Sequence, residues 1–199
     1  MMAQDRTTIE FYAQEAAAYA SRGQEASRRR IDAFLSRLPA GAGILELGCG
    51  AGQDSEYMIA RGFAVRPTDG TPEMAQAARD RLGIPVATLL FGDLEEAATC
   101  HGIWANACLL HVPRQDLSGI LRRIHRALKD RGVFYASFKA GRADGRDQFD
   151  RYFNYPSEAW LRDLYAALPW RSVVIETEAG SGYDAKPTDW LHVTAIKPA

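Results

Sequence analysis

The stretch Ile44-Leu45-Glu46-Leu47-Gly48-Cys49-Gly50-Ala51-Gly52 decides how the chain is read. Ile44, Leu45 and Leu47 form the short apolar run of a central parallel strand, which is covered on both faces. Gly48, Gly50 and Gly52 then strip the side chains from a tight turn, so that backbone can approach a ligand. The following residues, QDSEYMIARG, read as a helix ended by Gly62. A ligand on this turn meets a strand end and a helix N-terminus together.

Spacing separates the candidate ligands. A dinucleotide fingerprint places its third glycine three residues after the second, where this chain has Gln53. The pattern here is E-x-G-x-G-x-G. Asp69 follows Gly48 by 21 residues, near the interval at which an acid reaches the ribose hydroxyls of a nucleotide fold; capping of the next helix is the alternative. Downstream, apolar runs at Val86–Phe91, Ile103–Leu110 and Val133–Phe138 alternate with helical patterns. The clearest helix opens at Pro113 and carries Leu117, Ile120, Leu121, Ile124 and Leu128 on one face.

With Glu46 leading into the glycines and TDGTPEM after the second strand, the chain resembles the class I S-adenosylmethionine-dependent methyltransferases. FKAG and RYFNYPSEAWL further resemble a small bacterial subgroup related to tellurite-resistance-type methyltransferases. The resemblance implies an α/β fold, a doubly wound, seven-stranded and mostly parallel Rossmann-like sheet with an antiparallel last strand and N-terminal helices. It implies S-adenosylmethionine as cofactor. The residues it assigns to the cofactor are Glu46, Gly48, Cys49, Gly50 and Gly52 on the turn, Asp69, Gly70 and Met74 after the second strand, Asp93 and Leu94 after the third, Ala107 after the fourth, and Tyr12 and Tyr19 from a helical cover. Residues expected near the acceptor are His111, Lys139, Arg151 and Tyr155. Non-catalytic cofactor binding, and a nicotinamide-dependent oxidoreductase on a related sheet, are the rival classes.

Composition bounds the rest. The chain has 199 residues and a formal net charge of -1, enough for one domain with a substantial core and without the basic excess of a nucleic-acid binder. We expect one domain, residues 1–40 forming a helical cap and 41–199 the nucleotide-binding core. Helices are expected from Thr7 or Thr8 to Tyr19 and from Gln24 to Leu38. No apolar run has membrane-spanning length and no signal-peptide core opens the chain, so a cytoplasmic protein is expected. Three cysteines without a CxxC pair argue against disulfides and metal. The expected partner is a small-molecule methyl acceptor, anionic or aromatic, with no nucleic acid and no membrane, on a monomer or homodimer. Lys139 to Tyr155, charged and glycine-containing before its aromatic cluster, is expected to be a lid.

Overall fold

The computed structural model describes residues 4–22, 26–183 and 186–199. Strand β1 (Gly43–Leu47) is the third strand of a seven-stranded sheet of order β3-β2-β1-β4-β5-β9-β8. Its partners are β2 (Ala64–Asp69) and β4 (Cys100–Ala105), both parallel to it. Strand β5 (Leu128–Lys139) continues the parallel set, and β9 (Pro187–Ile196) inserts antiparallel between β5 and β8 (Ser172–Ser181). The sheet has the mixed, doubly wound topology expected of the family.

Alternation along the central strands sends side chains to two separate cores. Leu45, Leu47, Ile103, Phe134 and Phe138 pack on one face beneath α5 (Arg114–Ala127), whose Leu117, Ile120, Leu121, Ile124 and Ala127 are all buried. Each large side chain there stabilises the fold by about 1.5–3 kcal/mol. Ile44, Trp104, Val133 and Tyr135 face the opposite way, against Ile31, Phe34 and Leu35 of α2 (Arg28–Leu35) and Met58 of α3 (Gln53–Ala60). The Trp104 and Tyr135 rings stack there with centroids 3.9 Å apart.

Several boundaries differ from the sequence reading. Helix α1 runs Arg6–Ala20 and is capped by Asp5, whose carboxylate accepts from the Thr8 amide, so Thr8 lies inside the helix. The second helix was expected from Gln24, which lies outside the described residues; the described helix starts at Arg28. The run Val86–Phe91 forms only the two-residue edge strand β3 (Ala87–Thr88) before a 3₁₀ turn at Phe91–Asp93. Strand β4 begins earlier than expected and ends at Ala105, and Leu109–His111 is a 3₁₀ turn. Helix α4 (Pro72–Leu82) carries its proline in the first turn, and α6 (Glu158–Ala166) is capped by Ser157. Between β5 and α6 the chain forms a small hairpin of β6 (Gly145–Arg146) and β7 (Tyr152–Phe153).

Candidate active site

The glycine turn is held in place by Asp69 at the end of β2. One carboxylate oxygen of Asp69 accepts from the Gly50 amide and the other from the Thr71 amide, each at 2.9 Å. Burial raises the Asp69 carboxyl to about 6, and these backbone donors pull against that rise. The Cys49 amide donates to the Thr68 carbonyl at 2.9 Å, tying the turn to β2 a second time. Gly50 has φ +56°, and a Cβ built on it would lie 3.6 Å from Tyr19 Cε1 and 3.7 Å from Met74 Cε. The space in front of the turn is therefore bounded by a ring from α1 and a thioether from α4.

That space is a cavity of about 970 Å³ counted out to its open mouth, at the carboxyl ends of β1, β2 and β4. Open α/β sheets bind ligands at these ends. Its walls include Glu46, Gly48, Cys49, Gly50, Asp69, Gly70, Met74, Ala107, Tyr12, Tyr19 and His111 of the expected residues. Gly52 caps α3 and faces Leu82 and Ala78, off the wall. Asp93 is exposed and Leu94 is packed in the core; Phe91 lines the cavity where Asp93 was expected. The short β3 explains the difference, because the 3₁₀ turn that follows it buries the ring and sends the carboxylate outward. Glu46 is 2 % exposed, accepts a short hydrogen bond from Ser55, and is driven well above the usual carboxylate range by burial. Burial also pushes up the Cys49 and Cys108 thiols, so neither is a thiolate nucleophile at neutral pH.

The opposite wall carries polar groups that the sequence reading did not assign. Asp54, in the first turn of α3, accepts from the Ser27 amide, the Trp104 indole and the Asn106 side-chain amide at 2.9–3.0 Å. Asn106 is completed by Ser137, which donates to its oxygen at 2.7 Å and accepts from the Ala107 amide at 2.8 Å. Ala107 is thereby held at φ +51°. Gln53 also lines the cavity, and its side-chain nitrogen is buried without a partner. The available signal was position: Gln53 and Asp54 open the helix that follows the glycines.

The roof is α1 clasped to the β6–β7 hairpin. Arg146 pairs with Asp5 at 2.7 Å, the Tyr152 amide donates to the Thr8 hydroxyl at 2.9 Å, and Arg151 donates to the Tyr12 hydroxyl at 3.1 Å. Arg151 does not reach the cavity. Its side chain is 2 % exposed, pairs with Asp147 at 2.6 Å, and lies 4.7–5.7 Å from the ring centroids of Phe11, Tyr12, Phe149, Phe153 and Tyr183. Lys139 ends β5 with its ammonium 4.6 Å from the Phe153 ring centroid, and Tyr155 stacks on Phe153 with centroids 5.2 Å apart. Both stand outside the walls. All three pack instead against Phe153 of β7.

His111 does reach it. Its Nδ1 lies 2.6 Å from the Tyr152 carbonyl oxygen, which can only accept, so Nδ1 carries the hydrogen. Burial lowers the ring to about 4 and keeps it neutral. Nε2 therefore presents a lone pair, and the Tyr12 hydroxyl donates to it at 3.0 Å.

Comparison with known proteins agrees with this architecture. Residues 44–132 match a family model described as a methyltransferase domain. Trans-aconitate 2-methyltransferase of Paracidovorax citrulli is 28% identical over 79% of this chain, and the match spans 58% of that protein's length. Trans-aconitate 2-methyltransferase of Methylobacterium nodulans is 25% identical, over 92% of this chain and 80% of the relative. A solved structure of Burkholderia thailandensis 1,6-didemethyltoxoflavin-N1-methyltransferase, with 1,6-didemethyltoxoflavin and S-adenosylhomocysteine bound, superposes with a TM-score of 0.77 at 22% identity, covering 97% of this chain and 88% of that one. Residues 44–132 are thus similar to a methyltransferase domain, and the sheet shares the fold of the superposed enzyme.

Proposed function

We propose that the chain is an S-adenosylmethionine-dependent methyltransferase acting on a small molecule. One observation carries the reading: the glycine turn, Asp69 and the first turn of α3 line a single cavity at the strand ends. The residues fit the cofactor. The missing side chain of Gly50 lets a ligand approach the turn backbone beside Tyr19 and Met74, and each Asp69 oxygen keeps a second lone pair for a ribose diol. Asp54, in the first turn of α3 and on the cavity wall, would receive the ammonium of the amino-acid end. When bound, the cofactor supplies an electrophilic methyl group on a sulfonium. The chain's residues then align the acceptor with that carbon and exclude water, the roof being the water barrier.

Within the class, FKAG and RYFNYPSEAWL support the small bacterial subgroup related to tellurite-resistance-type enzymes. We read the chain as one domain, a helical cap over a nucleotide-binding core, working in the cytoplasm as a monomer or homodimer without nucleic acid. Among the described residues no helix is long and apolar enough to cross a membrane. Calorimetry with S-adenosylhomocysteine and with NAD tests the reading. Binding of the first alone, abolished in a folded Gly50→Val variant, is the expected result; binding of NAD alone would overturn it. Release of S-adenosylhomocysteine with an acceptor would separate an enzyme from a binding module.

A further inference from the structure

Tyr12, His111, Arg151 and Asp147 form one connected chain that the proposed reaction does not by itself require. Asp147 accepts from Arg151 Nε at 3.0 Å and Nη2 at 2.6 Å; Arg151 Nη1 donates to the Tyr12 oxygen, and Tyr12 donates to His111 Nε2. Each donor and acceptor in it has a single consistent role, because the Tyr152 carbonyl fixes the far end. The cationic end of the chain is sealed inside the roof. The end that meets the cavity is a neutral imidazole with its lone pair committed to a hydroxyl.

The charge of the walls points the same way. Among the described residues lining the cavity there is no lysine and no arginine, while Asp5, Asp54 and Asp69 contribute carboxylates and Glu46 a buried carboxyl group that burial pushes toward its neutral form. Asp5 is paired with Arg146 outside the cavity; Asp54 and Asp69 have only hydrogen-bond donors as partners. A carboxylate acceptor would be desolvated beside like charges with no lysine or arginine in the walls to receive it, which is costly. Beside His111 the wall is the Tyr12 ring, 5.5 Å away between centroids, and the Tyr19 ring stands edge to face with Tyr12 at 5.7 Å.

We propose that the acceptor is an uncharged planar molecule whose methylated atom carries a hydrogen, a phenol-type O–H or a heteroaromatic N–H, seated against Tyr12 and Tyr19 with that hydrogen on His111 Nε2. This rests on the methyltransferase reading and narrows it. The acceptor's hydrogen takes the place that the Tyr12 hydroxyl now holds on Nε2. Its heteroatom bonds to the methyl carbon as the carbon–sulfur bond breaks, the bonding pair leaving with sulfur to give a neutral thioether. The proton passes to Nε2, and the positive charge that began on sulfur ends on the imidazolium. A base as weak as His111 takes the proton only while the new bond forms, when the attacking atom becomes strongly acidic. An aliphatic ammonium of pKa about 10.4 would have to lose its proton first, to a base weaker by about a million-fold. Tyr12 and His111 touch the acceptor; Arg151 and Asp147 are positioning residues that hold the Tyr12 oxygen.

The test uses the full chain saturated with S-adenosylmethionine and three acceptor panels: substituted phenols with N–H azoles, carboxylates including benzoate and trans-aconitate, and aliphatic amines. S-adenosylhomocysteine release is the readout. Turnover is expected in the first panel only, and His111→Gln should lower kcat about a hundredfold or more while its affinity for S-adenosylhomocysteine stays within twofold. Asp147→Asn should raise KM for the acceptor more than it lowers kcat. Nitrogen-15 NMR should show His111 neutral with hydrogen on Nδ1 from pH 5 to 8. Turnover confined to carboxylates or amines, no turnover with any neutral acceptor, or an Nε2-protonated His111 would overturn the inference. Failure to bind S-adenosylhomocysteine at all would instead sink the methyltransferase reading on which it rests.

Discussion

Replacing Asp69 by asparagine separates the two duties its position gives it. Asp69 holds the glycine turn through two backbone amides and presents the same oxygens to the cavity. It is 9 % exposed, and burial raises it from 3.8 to about 6. At about 1.36 kcal/mol per unit, that shift costs the folded protein roughly 3 kcal/mol when the group is ionised. Because the folded value lies above the unfolded one, the folded state binds more protons between pH 4 and 6. Stability contributed by this group is full below about 4, falls as pH rises to about 6, and is flat above it. Asparagine removes the buried charge and keeps one acceptor, leaving one turn amide unpaired at about 1–3 kcal/mol. The two effects nearly cancel, so at pH 7.5 the variant should melt within a few degrees of the parent and lack its loss of stability between pH 4 and 6. Ligand affinity should not survive so well. Loss of charge-assisted hydrogen bonds of about 1.5–3 kcal/mol weakens S-adenosylhomocysteine binding about ten- to a hundredfold. In the parent, the same affinity should drop about tenfold from pH 7 to pH 5 as Asp69 takes up its proton. Thermal melts across pH with parallel calorimetry give both readouts. An unchanged dissociation constant in Asp69→Asn, or an unchanged pH slope, would refute the reasoning.

Other outcomes follow from single contacts. Gly48→Ala places a Cβ 2.5 Å from the Cys108 Cβ at φ +66°, and should cost about 1–3 kcal/mol in urea unfolding even before any ligand is added. Phe34→Ala empties the contact between α2 and the sheet and should lower stability by about 3–5 kcal/mol. Cys49, Cys100 and Cys108 are free, buried and raised by burial, so none should react with a thiol reagent in the native state at pH 8, whereas all three should in denaturant.

How much of this was legible in the sequence depended on burial on both faces. Strand β1 reads cleanly because Ile44 and Leu45 each enter a different core. Strand β3 does not, because it is an edge strand of two residues and its apolar run is spent on a 3₁₀ turn around Phe91. The hairpin was invisible for a related reason: two-residue strands leave no alternation to count. At the start of α1 the sequence suggests Thr7 or Thr8 as the cap, whereas the cap is Asp5, which Arg146 of the hairpin holds in place. In the site, the glycine turn and Asp69 followed from spacing. The meeting of Tyr12 with His111 joins residues 99 apart, and nothing local in either segment announces it.

The clasp between α1 and the β6–β7 hairpin also determines what can be exchanged. Specificity elements of a shared scaffold are natural material for grafting, and here the roof meets the rest of the fold through α4, beneath α1, and the 3₁₀ turn that carries His111. Yet the roof is two segments distant in sequence, stitched by Asp5 to Arg146, Thr8 to Tyr152 and Tyr12 to Arg151. A chimera importing residues 5–20 alone would leave Arg151 and Asp147 buried against a foreign helix, with the guanidinium losing its tyrosine. The two segments therefore form one heritable unit, to be transplanted or diversified as a pair, while the sheet beneath can stay untouched.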